Sequence, residues 1–296
     1  MKISVTMITF NAERRLEECL NGLKWADEII IVDCFSTDRT KEIASGFKNC
    51  KFYEKKFEGF GSQKNYATSK TSNDWIFNVD ADEIVTDALT KEIEQALADP
   101  KFDGYYIPRK SFLGKKWVRG AGQWPDYQLR IYNKNKGKFE DKLVHERVTI
   151  NGRTTRLKNH FVHYNYESWH NFMEKRNLYT TKEAEILLQK KFVWMYPFGI
   201  LREFFRKYRH YRKNKNSVIG SYILARESLD KYHLKFTAPF KPPFAFIRFY
   251  LIQGGFRDGF YGLYWALGCS HDNVMKYAKY KDMKNGNKEA YVTHKN

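Results

Sequence analysis

At 296 residues the chain is long enough to bury one large core, or one core with an appendage, and 42% hydrophobic with 17% aromatic residues excludes a disordered polypeptide. A formal net charge of +18 and a pI near 9.5 call for an anionic partner: nucleic acid, a membrane surface or a phosphorylated substrate.

Residues 3–9 are apolar and β-branched (Ile3, Val5, Thr6, Ile8, Thr9) and read as a buried strand. The expectation is a chain that starts on this strand, without a signal-peptide layout, and no run reaches the length of a membrane-spanning helix. Asn11 sits near a helix start, and Leu16, Cys19, Leu20 and Leu23 mark one helical face. Residues 28–33 form a second strand ending in Asp33, and Ser36, Thr37, Asp38 and Thr40 offer caps for the helix that follows. A third strand at 51–54 and a short helix at 62–69 come next. A strand at 75–79 then ends in Asp80, Asp82 and Glu83.

Strands of about five residues alternating with helices of about ten read as a doubly wound, mostly parallel α/β sheet. No Gly-x-Gly-x-x-Gly and no Walker sequence accompanies it. Open sheets of this kind bind ligands beyond the carboxyl ends of their strands, where Asp33, Asp80 and Asp82 all fall. Closely spaced carboxylates on a turn suit Mg2+ or Mn2+, which also contact a diphosphate. Asp33 could accept hydrogen bonds from a base or ribose; the alternative is a helix-cap carboxylate.

Asp87 is expected to cap a helix faced by Leu89, Ile93, Ala96 and Leu97, and Pro108 to mark the edge or end of a strand at 105–108. A loop at 112–125 is rich in Gly and Trp. His160 and His163 lie on a short strand where both could point to one face, as ligands or as hydrogen-bonded edge residues. Cys19, Cys34, Cys50 and Cys269 show neither metal spacing nor a paired pattern, which points to a reducing compartment.

From Ser168, a helix cap, apolar residues recur at helical spacing to about Lys190. An aromatic stretch at 192–198 and a run of Arg and Lys from 202 to 215 interleaved with Phe and Tyr suit an anionic interface, membrane before nucleic acid. A helix is expected at 218–232. Residues 244–252 and 260–267 are apolar and aromatic but too short to span a bilayer. The tail from Lys279 is expected to fray.

The first half resembles the family 2 glycosyltransferases of GT-A fold in four ordered blocks: residues 5–13, residues 31–40, Gln63-Lys64-Asn65 and Asp80-Ala81-Asp82-Glu83. The resemblance implies a nucleotide-sugar donor and inversion at the anomeric carbon. It implies Thr9 and Glu13 near the nucleotide, Asp33 on the uracil or ribose side, and Asp80 and Asp82 as the Mg2+ or Mn2+ motif. Apart from the resemblance, one of the two histidines, His163, is expected to touch the metal or diphosphate. Lys64 falls near the donor phosphates; its alternative is a solvated helix lysine. The family's base lies in a Glu-Asp-x-x-Leu pattern, matched by Asp126 and Leu129 with Pro125 in place of the Glu. Glu146 is the rival base, and the alternative for Asp126 is an ion pair with Arg130. Arg130, Lys142, His145 and Arg147 bring positive charge suited to a leaving diphosphate.

Residues 124–130 and 143–147 are similar to the branch that adds glucose to inner-core heptose of lipopolysaccharide. That branch implies UDP-glucose as donor, a phosphorylated glycolipid acceptor, and a cytoplasmic enzyme peripheral at the anionic inner leaflet. The expected layout is a transferase domain at 1–166 and a helical, basic and aromatic region at 167–296 that associates with the membrane surface and contacts the acceptor. Other surface glycans, capsule or teichoic polymer, and a non-catalytic binding protein on this scaffold are the alternatives.

Overall fold

The computed structural model describes residues 2–140, 147–189, 202, 206 and 241–291. The chain divides into two compact units, Met1–Glu167 and Ser168–Asn296.

In the first unit β1 (Ile3–Thr9), α1 (Glu13–Asn21), β2 (Glu28–Asp33), α2 (Thr40–Ser45), β3 (Cys50–Glu54), α3 (Phe60–Ser69) and β4 (Trp75–Asn78) alternate as expected. The four strands pair in parallel in the order β3-β2-β1-β4. The chain winds outward from β1 to β3 and returns to the other side of β1. That reversal is the switch point at which such sheets open a ligand crevice. β2 is buried at every position because helices cover both its faces, which is why it reads as a continuous apolar run. Leu16, Cys19 and Leu20 of α1 pack on Val5, Met7, Ile29 and Ile31 in the main core.

The sheet continues through β5 (Glu83–Val85), α4 (Asp87–Ala98), β6 (Gly104–Leu113), β7 (Lys116–Trp117), β8 (Asp126–Asn133), β9 (Gly137–Phe139), β10 (Val148–Ile150), β11 (Thr154–Arg156) and β12 (Phe161–Tyr166). β8 is antiparallel to both β4 and β6, and β12 runs parallel to β6. The architecture is a mixed α/β sheet with a parallel half, β3-β2-β1-β4, and helices following it in the second unit.

The first unit corrects three expectations. The cap of α4 is Thr86, whose hydroxyl accepts from Leu89 N at 3.3 Å; Asp87 is the first helical residue. Pro108 lies inside a ten-residue strand rather than at its end. It falls where the neighbour of β6 changes from β11, at Gly104–Tyr106, to β12, from Arg109 on, so its missing N–H interrupts neither ladder. His160 and His163 do not share a face. Three residues is an odd step along a strand, and His160 meets the Trp124 ring at 5.6 Å while His163 faces Asp82.

In the second unit, α5 (Trp169–Gln189) is capped by Ser168, whose hydroxyl accepts from Asn171 N at 3.1 Å. Helical segments follow at Lys241–Ile247, Arg248–Ile252, Gly255–Asp258 and Phe260–Lys284. Among the described residues the expected fraying from Lys279 does not occur: helix continues to Lys284. Lys279 is buried, and its ammonium donates to the Asn177 carbonyl and side-chain oxygen at 2.7 Å each, and to the hydroxyls of Thr180 and Thr181. The 192–198 stretch, most of the basic run and the helix expected at 218–232 lie outside the described residues. Among the described residues no helix is long and apolar enough to cross a membrane.

Candidate active site

The site is built around the turn that follows β4. Asp80 N donates to Glu83 Oε2 at 3.0 Å and Glu83 N to the Asp80 carbonyl at 3.0 Å, closing the turn on itself. Cys19 of α1 holds it from one side through Sγ to the Ala81 carbonyl, and Tyr164 N of β12 donates to the Asp82 carbonyl at 3.1 Å. Burial pushes the Cys19 thiol well above its ordinary range, so this sulfur braces the turn and is no nucleophile.

Asp80 faces two cations. Its Oδ1 lies 3.1 Å from Lys64 Nζ and its Oδ2 2.7 Å from Arg130. Burial raises the Asp80 carboxyl, but Arg130 and Lys64 outweigh it and hold the group far below the usual carboxylate range. Lys64 is therefore neither a solvated helix lysine nor open to water: it is 5% exposed and sits 5.3 Å from the Phe139 ring centroid.

Arg130 reaches the turn because β8 carries a bulge. Tyr105 of β6 pairs with Ile131 and Tyr106 with Leu129, leaving Arg130 as the extra residue. Its guanidinium bonds Asn78 Oδ1 at 3.1 Å, Asp80 and Glu83. Asn78 in turn donates to the Thr6 carbonyl and hydroxyl on β1. Burial raises the Glu83 carboxyl, and Asp80 beside it adds to this against the pull of Arg130.

Asp82 is directed differently. Its side chain keeps 37% of its exposure, and its carboxylate lies 3.4 Å from His163 Nε2. His163 itself is buried, and its Nδ1 has no hydrogen-bond partner among the described residues. Among the described residues no three His, Cys, Asp or Glu side chains gather as a cation cage. Asp82 and His163 are the residues that could hold a divalent ion at this turn.

Asp126 begins β8 and pairs with Arg109 of β6, not with Arg130: Arg109 Nε lies 2.9 Å from Oδ2, while Gln128 Nε2 donates to Oδ1 at 2.8 Å. Burial lowers the Arg109 guanidinium, but Asp126 and then Glu83 more than compensate and raise it. Strand register aligns these groups. Val85, Phe161, Arg109 and Asp126 form one row across β5, β12, β6 and β8, and Glu83, His163 and Ser111 form the next row on the same face. From strand spacings, the Cα atoms of His163 and Asp126 are about 12 Å apart, which leaves room between them for a hexose and a diphosphate.

At the ends of β1 and β2, Asp33 is buried. Its Oδ1 accepts from the hydroxyls of Thr9 and Ser36 at 2.6 Å each, and its Oδ2 from Ser36 N at 2.6 Å. Glu13 is exposed and ties two loops: its Oε2 accepts from Arg39 N at 3.0 Å and its own N–H donates to Asp38. Thr9, Glu13 and Asp33 thus shape the crevice lip. Two aromatic residues that the sequence reading passed over, Phe10 and Phe35, stand there 60% and 56% exposed. A large apolar residue within two positions of the end of each strand, Phe10 after Thr9 and Phe35 after Asp33, was the available signal. Arg109 was also missed, because only the pairing of β6 with β8 brings it to Asp126. Glu146, His145 and Lys142 lie outside the described residues.

The family model for glycosyl transferase family 2 matches residues 4–231. An uncharacterized glycosyltransferase of Rickettsia typhi is 32% identical over 208 residues, 64% of this chain and 70% of that protein. The lipopolysaccharide core biosynthesis glycosyltransferase LpsC of Rhizobium meliloti is 26% identical over 225 residues, 70% of this chain and 82% of that protein. Among solved structures, Staphylococcus aureus TarS 1-349 in complex with UDP-GlcNAc aligns with a TM-score of 0.47 at 16% identity, covering 97% of this chain and 92% of that one. The chain is an enzyme of the glycosyl-transfer class. It belongs to glycosyl transferase family 2.

Proposed function

We propose that this enzyme moves a hexose, glucose from UDP-glucose, onto a lipopolysaccharide or lipooligosaccharide inner-core acceptor with inversion of the anomeric carbon. The observation that carries the chemistry is the alignment of Asp126 with the Asp82–His163 pair on one sheet face. The acceptor class rests on the likeness to LpsC and on the charge of +18, which suits a phosphorylated glycolipid at the anionic inner leaflet.

In this reading Asp126 takes the proton from the acceptor hydroxyl as the oxygen attacks the anomeric carbon. The bond to the phosphate oxygen breaks and UDP leaves. Arg109 and Gln128 orient the Asp126 carboxylate. Asp82 and His163 would hold Mg2+ or Mn2+, which supplies positive charge against the leaving diphosphate. Asp80 stays ionised between Lys64 and Arg130 and sets the turn that carries Asp82. Phe10 and Phe35 offer ring faces to the uracil, and Thr9, Glu13 and Asp33 keep that lip in shape. The region after residue 167 contributes acceptor and membrane contacts.

The test is transfer of label from a panel of UDP-sugars to membrane glycolipid extracts, with Mn2+ and with EDTA. Transfer from UDP-glucose alone to a core-lipid fraction, abolished by EDTA, is expected. Transfer from a different UDP-sugar, or to no lipid, would overturn the assignment of donor and acceptor.

A further inference from the structure

We propose that the helical hairpin spanning residues 244–267 is the membrane-docking element of this enzyme, lying in the interface plane of an anionic bilayer. The proposal deepens the reading of a lipid-borne acceptor and rests on it for its biological sense.

The hairpin is closed on its inner side and open on its outer side. Helix Lys241–Ile247 and the π-helical turn Arg248–Ile252 run into a tight turn with Gly254 and Gly259 at positive φ, and helix Phe260–Lys284 returns. Both arms touch the connecting turn at Gly255 backbone to backbone. A Cβ on Gly262 would sit 1.7 Å from the Gly255 carbonyl oxygen, and one on Gly255 would sit 2.7 Å from that of Phe249. Ser270 Oγ also donates to the Pro242 carbonyl at 2.8 Å. Ala245 and Ala266 are buried, and Trp265 is buried against the Phe172 ring of α5 at 5.3 Å.

The outer face keeps Phe244, Ile247, Leu251, Ile252, Phe256 and Phe260, from 46% exposed at Ile247 to 71% at Ile252. These recur every three or four residues, with Leu251 and Ile252 adjacent, so they form a stripe rather than scattered single residues. The inner face is already filled at backbone contact, so the hairpin cannot cover this stripe by refolding on itself.

Charge selects the occupant. Between residues 244 and 267 the charged side chains are Arg248, Arg257 and Asp258, and the carboxylate is the buried one. Arg257 stands exposed, with its guanidinium carbon 5.7 Å from the centre of the Phe256 ring. An apolar aromatic stripe with cations beside it and no exposed carboxylate fits acyl chains below a layer of anionic headgroups. Neither arm is long and apolar enough to span, so the element lies in the surface.

The experiment is co-sedimentation of the full chain with phosphatidylcholine vesicles, with and without phosphatidylglycerol. The expected result is partition onto the anionic vesicles that falls at least about tenfold in a Leu251→Ser/Ile252→Ser/Phe256→Ser variant, since each large side chain withdrawn from water is worth about a factor of ten or more. Hydrogen exchange of the wild-type chain supplies a reading independent of the variant's folding: amides of 244–260 should slow on adding anionic vesicles. A wild-type chain that stays in the supernatant, vesicle protection confined to other segments, or a dimer by light scattering that the triple variant dissolves would overturn the proposal. UDP binding without vesicles, measured in the same samples, reports on the donor site separately. Its loss alongside intact vesicle binding would count against the donor reading and leave the docking element standing.

Discussion

Replacing Arg130 by Met removes the cation shared by Asp80, Glu83 and Asn78 while keeping much of the side-chain volume. Asp80 retains Lys64 at 3.1 Å, but Glu83, with 1% of its side chain exposed, loses its ion-pair partner. Two outcomes compete. A buried carboxylate kept charged after losing its partner costs about 3–5 kcal/mol. Taking up a proton instead costs, from an ordinary carboxyl value of 4.5, about 3.4 kcal/mol at pH 7 and about 1.4 kcal/mol at pH 5.5. The protonation route therefore caps the penalty, and the cap depends on pH. A group raised in the folded state favours folding below its unfolded value and loses that advantage as pH rises, so the variant should be the more impaired at pH 7. Urea unfolding of both proteins at the two pH values should give a destabilisation of about 3 kcal/mol at pH 7 and about half of that at pH 5.5. A loss under about 1 kcal/mol at pH 7, or an equal loss at both pH values, would refute the view of Arg130 as the buried clamp of this turn.

Asp82→Asn and His163→Ala should each weaken Mn2+-dependent UDP binding about tenfold or more and leave the unfolding midpoint within about 0.5 kcal/mol for the half-exposed Asp82; a Mn2+ titration followed by UDP fluorescence displacement checks both. Phe10→Ala and Phe35→Ala should weaken UDP binding by about 1 kcal/mol each with no change in thermal midpoint, since both rings are exposed; equal affinity in both variants removes the stacking role. Acid stability should depend on Glu28. Burial raises its carboxyl, but Lys51, Ser4 and Ser72 outweigh that and bring it down from 4.5 to about 2. The stabilisation is present above pH 4.5 and lost as pH falls towards 2, roughly 2–3 kcal/mol in all, so Glu28→Gln should flatten that limb of a stability–pH curve.

β1, β2 and β4 were legible because each is a short apolar run closed by a polar turn, and burial on both faces leaves that signature in composition alone. The carboxylates at their ends were legible for the same reason: Asp33, Asp80 and Asp82 fall where a parallel strand stops. What was not legible depends on pairing between strands far apart in the chain. The Arg109–Asp126 ion pair needs the antiparallel register of β6 with β8, and the role of Arg130 needs a bulge that only the mismatch of Tyr105 and Tyr106 with their partners reveals. Pro108 looked like a strand end because the handover from β11 to β12 that accommodates it comes from segments some fifty residues later. The burial of Lys64 and Lys279 was hidden for a related reason: a lysine reads as solvent-facing until its acceptors are in place.

The central claim, that Asp126 is the base of a glycosyl transfer, is tested most directly by the rate of UDP release from the donor that supports transfer, in the presence of acceptor lipid, for the wild-type enzyme and Asp126→Asn. The account predicts a fall in kcat of about a hundredfold to ten-thousandfold with UDP affinity unchanged. A variant that turns over at the wild-type rate would contradict it.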